Sequence, residues 1–497
     1  MKNRFIYILA CLLGGNSFFS SCDDYLDKIP DNRTELKSVD AISELLGTAY
    51  SEAAYIGFCE AMSDNVDDIG TSGDYVRENE DAYFWKEKFS GSEQDTPDYY
   101  WNGSYNAIAS CNHALKAIEE LGNPEEALPY KGEALVARAY AHFMLVNIFS
   151  KSYNPETAGS DLGIPYITEP EEVVLGDYKR ESVAYVYEMI EKDIEEGLPL
   201  IENQAYQVPK YHFNRAAANA FACRFFLYKG DWTKAVQYSN NILAADPVSQ
   251  MRDWNGDYQS MTAGELMAKY TNSDESANLL LCGQATYWGR YFRSARYAFS
   301  YEKYEEIYRS NVFGGSWDFS LYYNGNNYFI LKYKEHFKYS SLNATTGVGY
   351  VMTPVLTIEE TLLNRAEAYA MNNETVLAIA DLNTYLSKRV SGYDPSDNID
   401  LSAVKAYYAD DNGDDLKPFY TLSEDQLALV KCVTDFRRVE FLHEGLRWFD
   451  IKRFHLAVNH RIEDNPDAMV LSPDGPRKEC QIPEIAIEMG LGANPRE

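Results

Sequence analysis

The run FRRVEFLHEGLRWFDIKRF, residues 436–454, is dense in charge. Arg437, Glu440, Glu444 and Arg447 recur at spacings of three and four, so on a helix they can pair along one side. Two carboxylates in one run raise the question of a glycosidase, whose chemistry needs a carboxyl pair. Guanidinium groups beside them favour the ionised carboxylate, the opposite of what a general acid needs. The run therefore reads as a structural ion-pair network. Asp410, Asn412 and Asp414 bracket Gly413 and resemble a calcium loop. Asp415, however, stands where such a loop needs its glycine, and Thr421 where it needs its glutamate, which leaves an exposed turn. The stretch DWNGD at 253–257 has the same standing. The seven histidines are scattered, and there is no HExxH, GxSxG, phosphate-binding glycine loop or Cys–His pair in a known context. No catalytic residue, metal or cofactor is expected.

A second chemistry is carried by aromatics. The chain holds 40 Tyr and 7 Trp, and from Gly283 to Tyr350 there are 12 Tyr, 6 Phe and 2 Trp in 68 residues. Aromatic faces stack on the C–H faces of sugar rings, while Asn, Asp and Arg side chains bond the hydroxyls, and such rings bury area at low entropic cost. Tyr301, Tyr304 and Tyr308 stand at helical spacing and read as core. Trp232 reads as packing within a helical hairpin. The ligand-platform candidates lie outside periodic segments: Tyr75, Tyr83, Trp85, Tyr287, Trp288, Tyr291 and Trp317, with Asp74, Arg77 and Arg290 as polar partners. Gly289, Gly314 and Gly315 favour loop geometry around the last two tryptophans.

The elements that must position these residues are mostly amphipathic helices. SVAYVYEMIEKDIEEGLPLI starts at the N-cap Ser182, buries Val183, Tyr187, Ile190 and Ile194 at helical spacing, and stops at Gly197 and Pro199. RAAANAFACRFFLYKGDWTKAVQYSNNIL has small Ala218 and Ala222 for close contact, a break at Gly230, and Trp232, Ala235 and Tyr238 on a return helix. This is a tetratricopeptide-type hairpin. TIEETLLNRAEAYAMNNETVLAIADLNTYL repeats it with Ala366, Tyr369, Ala378 and Leu382. Hairpins are expected within about 102–245 and 353–390. Loop-rich segments are expected at about 60–100, 245–350 and 391–420, and aromatic content argues against disorder there.

The front end raises a question of address. Lys2 and Arg4 precede an apolar stretch from Phe5 to Leu13, too short to span a bilayer, and small Ser20 and Ser21 precede Cys22. The junction is that of a bacterial lipoprotein, with residues 1–21 removed and Cys22 lipidated. A plain signal peptide is the alternative. The formal net charge of −31 excludes nucleic acid and anionic lipid as partners. The six cysteines of the body, Cys59, Cys111, Cys223, Cys282, Cys432 and Cys480, have no CxxC spacing and read as buried free thiols.

The order of these pieces resembles the SusD/RagB family of Bacteroides-type bacteria. The carriers are Cys22 with DDYLDKIPDNRTE, then YYWNGSYNAIASCNHAL, GEALVARAYAHFMLVNIFSKSY, DLGIPY, the 214–243 hairpin, LLNRAEAY, the 435–454 signature and CQIP. The resemblance implies a mainly α fold over 22–497 as a single domain. In it, a right-handed stack of tetratricopeptide-like hairpins carries irregular segments that hold the ligand. It implies a non-enzymatic lipoprotein of the outer membrane, facing the exterior, with Asp23 and Asp24 as its export signal. Such a protein captures an oligosaccharide and forms a lid on a SusC-like TonB-dependent transporter. A peptide- or protein-binding helical repeat is the second reading, and a glycoside hydrolase on a helical scaffold the third. The Cys22→Ala variant is expected to fold but to leave the detergent phase in which the wild type partitions. Equal partitioning of the two would remove Cys22 as the anchor.

Overall fold

The computed structural model describes residues 36–496 except 171–177, 245, 340, 342–343, 410–415 and 464. Cys22, the leader before it and the Asp410–Asp414 turn lie outside the described residues. Helices dominate, in this order: α1 (Val39–Leu46), α2 (Ile56–Met62), α3 (Arg77–Tyr83), α4 (Pro97–Glu120), α5 (Leu128–Phe149), α6 (Val183–Gly197), α7 (Arg215–Lys229), α8 (Trp232–Asn240), α9 (Ala263–Tyr270), α10 (Trp288–Tyr291), α11 (Tyr301–Tyr308), α12 (Ile358–Met371), α13 (Thr375–Leu386), α14 (Leu401–Tyr407), α15 (Glu424–Glu440), α16 (Leu446–Arg453) and α17 (Glu484–Glu488). The strands are β1 (Asp67–Asp68), β2 (Asn278–Ala285), β3 (Tyr297–Ala298), β4 (Leu321–Asn324), β5 (Asn327–Ile330), β6 (His336–Tyr339), β7 (Gly347–Thr357), β8 (Val458–Ile462) and β9 (Asn465–Leu471). They form small antiparallel sheets: β1–β3, β2–β7–β6, β4–β5 and β8–β9.

The hairpins follow their sequence signals. Asn214 caps α7 by accepting from the Ala216 and Ala217 N–H groups, and Gly230, at φ +84°, ends it in the left-handed region. Asp231 then caps α8, and Tyr238 lies flat on Phe226 across the turn at 5.3 Å. Ser182 caps α6, and its apolar stripe is buried. α12 and α13 turn at Asn373 and bury Ala366, Ala378 and Leu382. Neighbouring helices are pinned by buried Arg–carboxylate pairs. Arg138 holds Asp193 between α5 and α6 at 2.8 Å twice over, and Arg365 holds Asp381 between α12 and α13 at 2.8 and 2.7 Å. Arg224 reaches from α7 to Glu360 of α12. Two-pronged geometry satisfies both buried groups at once. Cys59, Cys111, Cys223, Cys282, Cys432 and Cys480 are all buried and free.

Residues 245–350 hold β2–β6 and α9–α11, short elements joined by irregular chain. Two sequence expectations are corrected. Of Tyr301, Tyr304 and Tyr308, only Tyr308 is buried, because α11 lies at the edge of the fold. The charged run does not pair along one helix face. α15 ends at Glu440, and Gly445, at φ +71°, starts α16 in a new direction. A Cβ at Gly445 would lie 3.1 Å from Cys59 Cβ and from the Ile56 backbone, so glycine is required there. Arg437 instead reaches across the break to α16 of the same run, and the other three find partners outside it. Arg437 takes Asp450, Glu440 takes Arg389, Glu444 takes Lys332 and Arg447 takes Asp64.

His142 of α5 fixes the segment after that helix. Its Nδ1 donates to the Arg138 carbonyl at 2.9 Å, its Nε2 accepts from the Ile167 N–H at 3.1 Å, and its ring stacks on Tyr166. An N–H aimed at Nε2 requires the neutral ring, and burial pushes the pKa from 6.5 down to about 3. The unfolded chain then binds a proton that the folded one refuses, so stability falls as pH drops from 6.5 towards 3. The expected loss is on the order of 2 kcal/mol by about pH 5. Urea titrations across this range should show His142→Leu weaker than wild type at neutral pH but with a shallower acid slope. Parallel slopes would remove His142 from the acid response.

Candidate functional site

Two segments far apart in sequence meet on one face. The Asp74 N–H donates to Ser294 O at 2.6 Å, and the Arg296 N–H to Asp74 O at 2.9 Å, which brings the 70–76 loop against the chain leaving α10. A Cβ on Gly73 would come within 2.5 Å of Arg296 Cα, so only glycine allows this approach. Asp95, itself at φ +64°, supports α10 from below. Its carboxylate accepts from the Thr286 hydroxyl and from the Tyr287 N–H. Burial pushes the Asp95 carboxyl up to about 6 against these donors. α10 in turn lies so close to β7 that a Cβ on Gly289 would meet Val351 at 2.7 Å.

This framework presents Tyr287, Arg290 and Tyr291. The Arg290 guanidinium grips Glu335 with contacts of 2.6–2.9 Å. It also sits 5.3 Å from the Tyr287 ring, 6.0 Å from Tyr291 and 5.5 Å from Phe337 on β6. Arg77 stands on the adjoining rim, bonded to Glu78 and Glu93. Between α10 and α3 runs a crevice lined by Val76, Glu78, Asn79, Asp95, Tyr287 and Tyr291, with a volume of about 20 Å³, room for one water. Tyr75 is 66% exposed, its hydroxyl 3.2 Å from Glu80.

The other sequence candidates fall elsewhere. Tyr83 is fully buried between Tyr297 and His460, with ring centroids 4.3 and 4.0 Å away. Trp85 covers the far side of His460 at 4.3 Å and donates from its indole to Met62 O. Trp288 is 4% exposed, and its indole donates to His443 O at 2.9 Å. Trp317, half-buried, stands edge-on to Phe436, Tyr385 and Phe313, against α13 and α15. Gly289 beside Trp288 marks a close approach to β7 rather than an exposed loop. No local pattern marked Asp95, Glu335 or Phe337, whose place depends on β6–β7 and α10 meeting. Trp288→Ala is therefore expected to destabilise by about 3–5 kcal/mol, and Tyr287→Ala, half-exposed, by less than 1.5 kcal/mol. Chemical denaturation measures both. Equal, small losses would put Trp288 outside the core.

Chain-wide similarity agrees with this architecture. A family model described as SusD-like, starch-binding and associating with the outer membrane, matches residues 24–227, and the SusD family model matches 237–484. A SusD superfamily protein from Bacteroides thetaiotaomicron VPI-5482 is 18% identical, with a TM-score of 0.66 over 92% of this chain and 100% of that one. A SusD-like carbohydrate binding protein from Bacteroides vulgatus ATCC 8482 is also 18% identical, with a TM-score of 0.66 over 91% and 96%. A SusD superfamily protein from Bacteroides fragilis is 17% identical, with a TM-score of 0.61 over 92% and 99%. No curated protein matches the chain. Both halves of the sequence thus match SusD models and nearly the whole chain shares their fold: the protein belongs to the SusD/RagB family.

Proposed function

We propose that the protein is a cell-surface glycan-binding lipoprotein. It would be anchored to the outer membrane through Cys22 and hand oligosaccharide to a SusC-like TonB-dependent transporter. The observation that carries the ligand class is the Arg290 cluster. A guanidinium fixed by Glu335 and bordered by Tyr287, Tyr291 and Phe337 offers ring faces for sugar C–H groups next to polar atoms for hydroxyls. Asp74, Tyr75 and Arg77 extend the same face, while Tyr83, Trp85 and Trp288 support it from inside. Trp317 lies on a different part of the fold.

The site binds without bond cleavage. The carboxylates of the signature run are committed: burial alone would push Asp450 up, yet Arg437 and Arg453 hold it below the usual carboxylate range. Glu60, raised by burial to about 7, is enclosed and accepts from the His443 and Gly445 N–H groups at 2.9 Å each. Asp95, raised to about 6, is occupied in holding α10. Product analysis after long incubation with a bound glycan should find the chain intact.

Calorimetric titration with the best ligand from a glycan array tests the site. Tyr287→Ala and Arg290→Ala should each lose about 1 kcal/mol or more of binding, roughly fivefold, with little change in melting. Unchanged affinity in both would move the site away from α10. Capture on a peptide array alone would replace the glycan reading with the peptide one.

A further inference from the structure

Beside this face stands a second aromatic structure with a different geometry. Tyr308, Tyr304, Tyr328 and Tyr323 form a column of near-parallel rings with successive centroid distances of 6.2, 5.7 and 5.6 Å and interplanar angles of 16, 15 and 25°. The inner end is buried, and the Tyr308 hydroxyl donates to Val439 O at 2.7 Å. The outer end is open: Tyr323 is 72% exposed and has Tyr328 on one face. Tyr301, 42% exposed, flanks the column 5.6 Å from Tyr328.

The column is held rigidly. Tyr323 and Tyr328 are direct cross-strand partners on β4 and β5, and on the opposite face of that hairpin Tyr322 stacks on Phe329. The Tyr328 N–H donates to Phe299 O at 2.8 Å, and the Tyr301 N–H reaches Asn326 Oδ1, which clamps the hairpin to the start of α11. Gly325, at φ +61°, makes the turn between the paired Asn324 and Asn327. An exposed ring kept in one orientation loses little entropy when something stacks on it. The tip also lies near the site already described. A Cβ on Gly325 would lie 4.0 Å from Ser72 Cβ, in the loop that carries Asp74 and Tyr75.

We infer that the open end of this tyrosine column is a second sugar-stacking subsite, continuous with the Tyr287–Arg290 face through the 72–75 loop, and that the ligand is a glycan chain long enough to occupy both. This rests on the glycan reading and sets its size class. An open ring face suits an uncharged sugar unit, and the acidic surface disfavours a polyanionic chain.

The test uses linear α-glucan, β-glucan, xylan and mannan oligosaccharides, each as a series from disaccharide to long chain, titrated into the whole protein. For the series that binds, Tyr323→Ala should weaken the long members about tenfold and leave the shortest unchanged. Tyr323→Phe, which keeps the ring, should retain wild-type affinity for the long members. Melting should be unaffected, because the ring is mostly outside. Unchanged long-chain affinity in Tyr323→Ala, with Tyr287→Ala still weakened, overturns the second subsite and leaves the glycan function standing. Equal losses for short and long members would also overturn it, since the column would then be the primary site. No binding of any series by wild type, confirmed on a wider array, removes the glycan reading and this inference with it.

Discussion

Arg389 is enclosed by protein on every side, and much of the fold is arranged so that its charge is answered. Its Nε and Nη2 take Glu440 at 2.6 and 3.0 Å, Nη2 also takes Glu359 at 3.1 Å, and Nη1 donates to the Arg252 carbonyl at 2.8 Å. Glu359 in turn receives the Arg252 N–H and guanidinium, both at 2.8 Å. Burial would push the Glu440 carboxyl up, but the Arg389 guanidinium holds it below the usual range. Each buried charge costs several kcal/mol of desolvation that only a well-placed partner offsets. The four segments meeting here are the chain near 252, the start of α12, the residues after α13 and the end of α15. None can shift alone without leaving a charge unpaired. That couples the helical hairpins to the irregular chain lying over them.

The same constraint reaches the proposed ligand face. The 441–445 turn, made by the signature run as it leaves α15, gives two N–H groups to buried Glu60 and the His443 carbonyl to the Trp288 indole. Glu444 on that turn holds Lys332 at 2.6 Å and accepts from Tyr270. α10 therefore rests on a turn that is itself fixed by charges. The Tyr287 and Arg290 side chains leave a rigid base, so little ordering is required when a ligand arrives. Residues whose types suggest catalysis are bonded here so as to hold the proposed binding face still.

Local signals were legible and long-range partners were not. Ser182, Gly230 and the alanines of the two repeat-like hairpins announced their elements, because caps, left-handed turns and close contacts are decided within a few residues. Arg437, Glu440, Glu444 and Arg447 announced only that they would be paired. Helical spacing suggested pairing with one another, and the break at Gly445 cancelled it. Asp64, Lys332 and Arg389 became partners through tertiary packing that no spacing encodes. The candidate face was half legible for the same reason. Segments 74–77 and 287–291 were both singled out, but their contact depends on Gly73 lying against Arg296.

The aromatic excess shows why composition alone could not separate support from recognition. Trp85, His460, Tyr83 and Tyr297 form one interior column at 4.3, 4.0 and 4.3 Å, which fills the space behind the 74–77 loop where no repeat helix runs. The Tyr308–Tyr323 column begins in the same manner and continues outward until its last ring meets solvent. Flat rings pack irregular backbone well, since each offers two large faces and few rotamers to freeze. A fold that covers a helical scaffold with irregular segments therefore needs many aromatics before any ligand is considered. The rings that end a column, or that border Arg290, have faces left for a sugar. Which rings those are is fixed by the depth at which each column stops, a property of the tertiary structure and not of the tyrosine count.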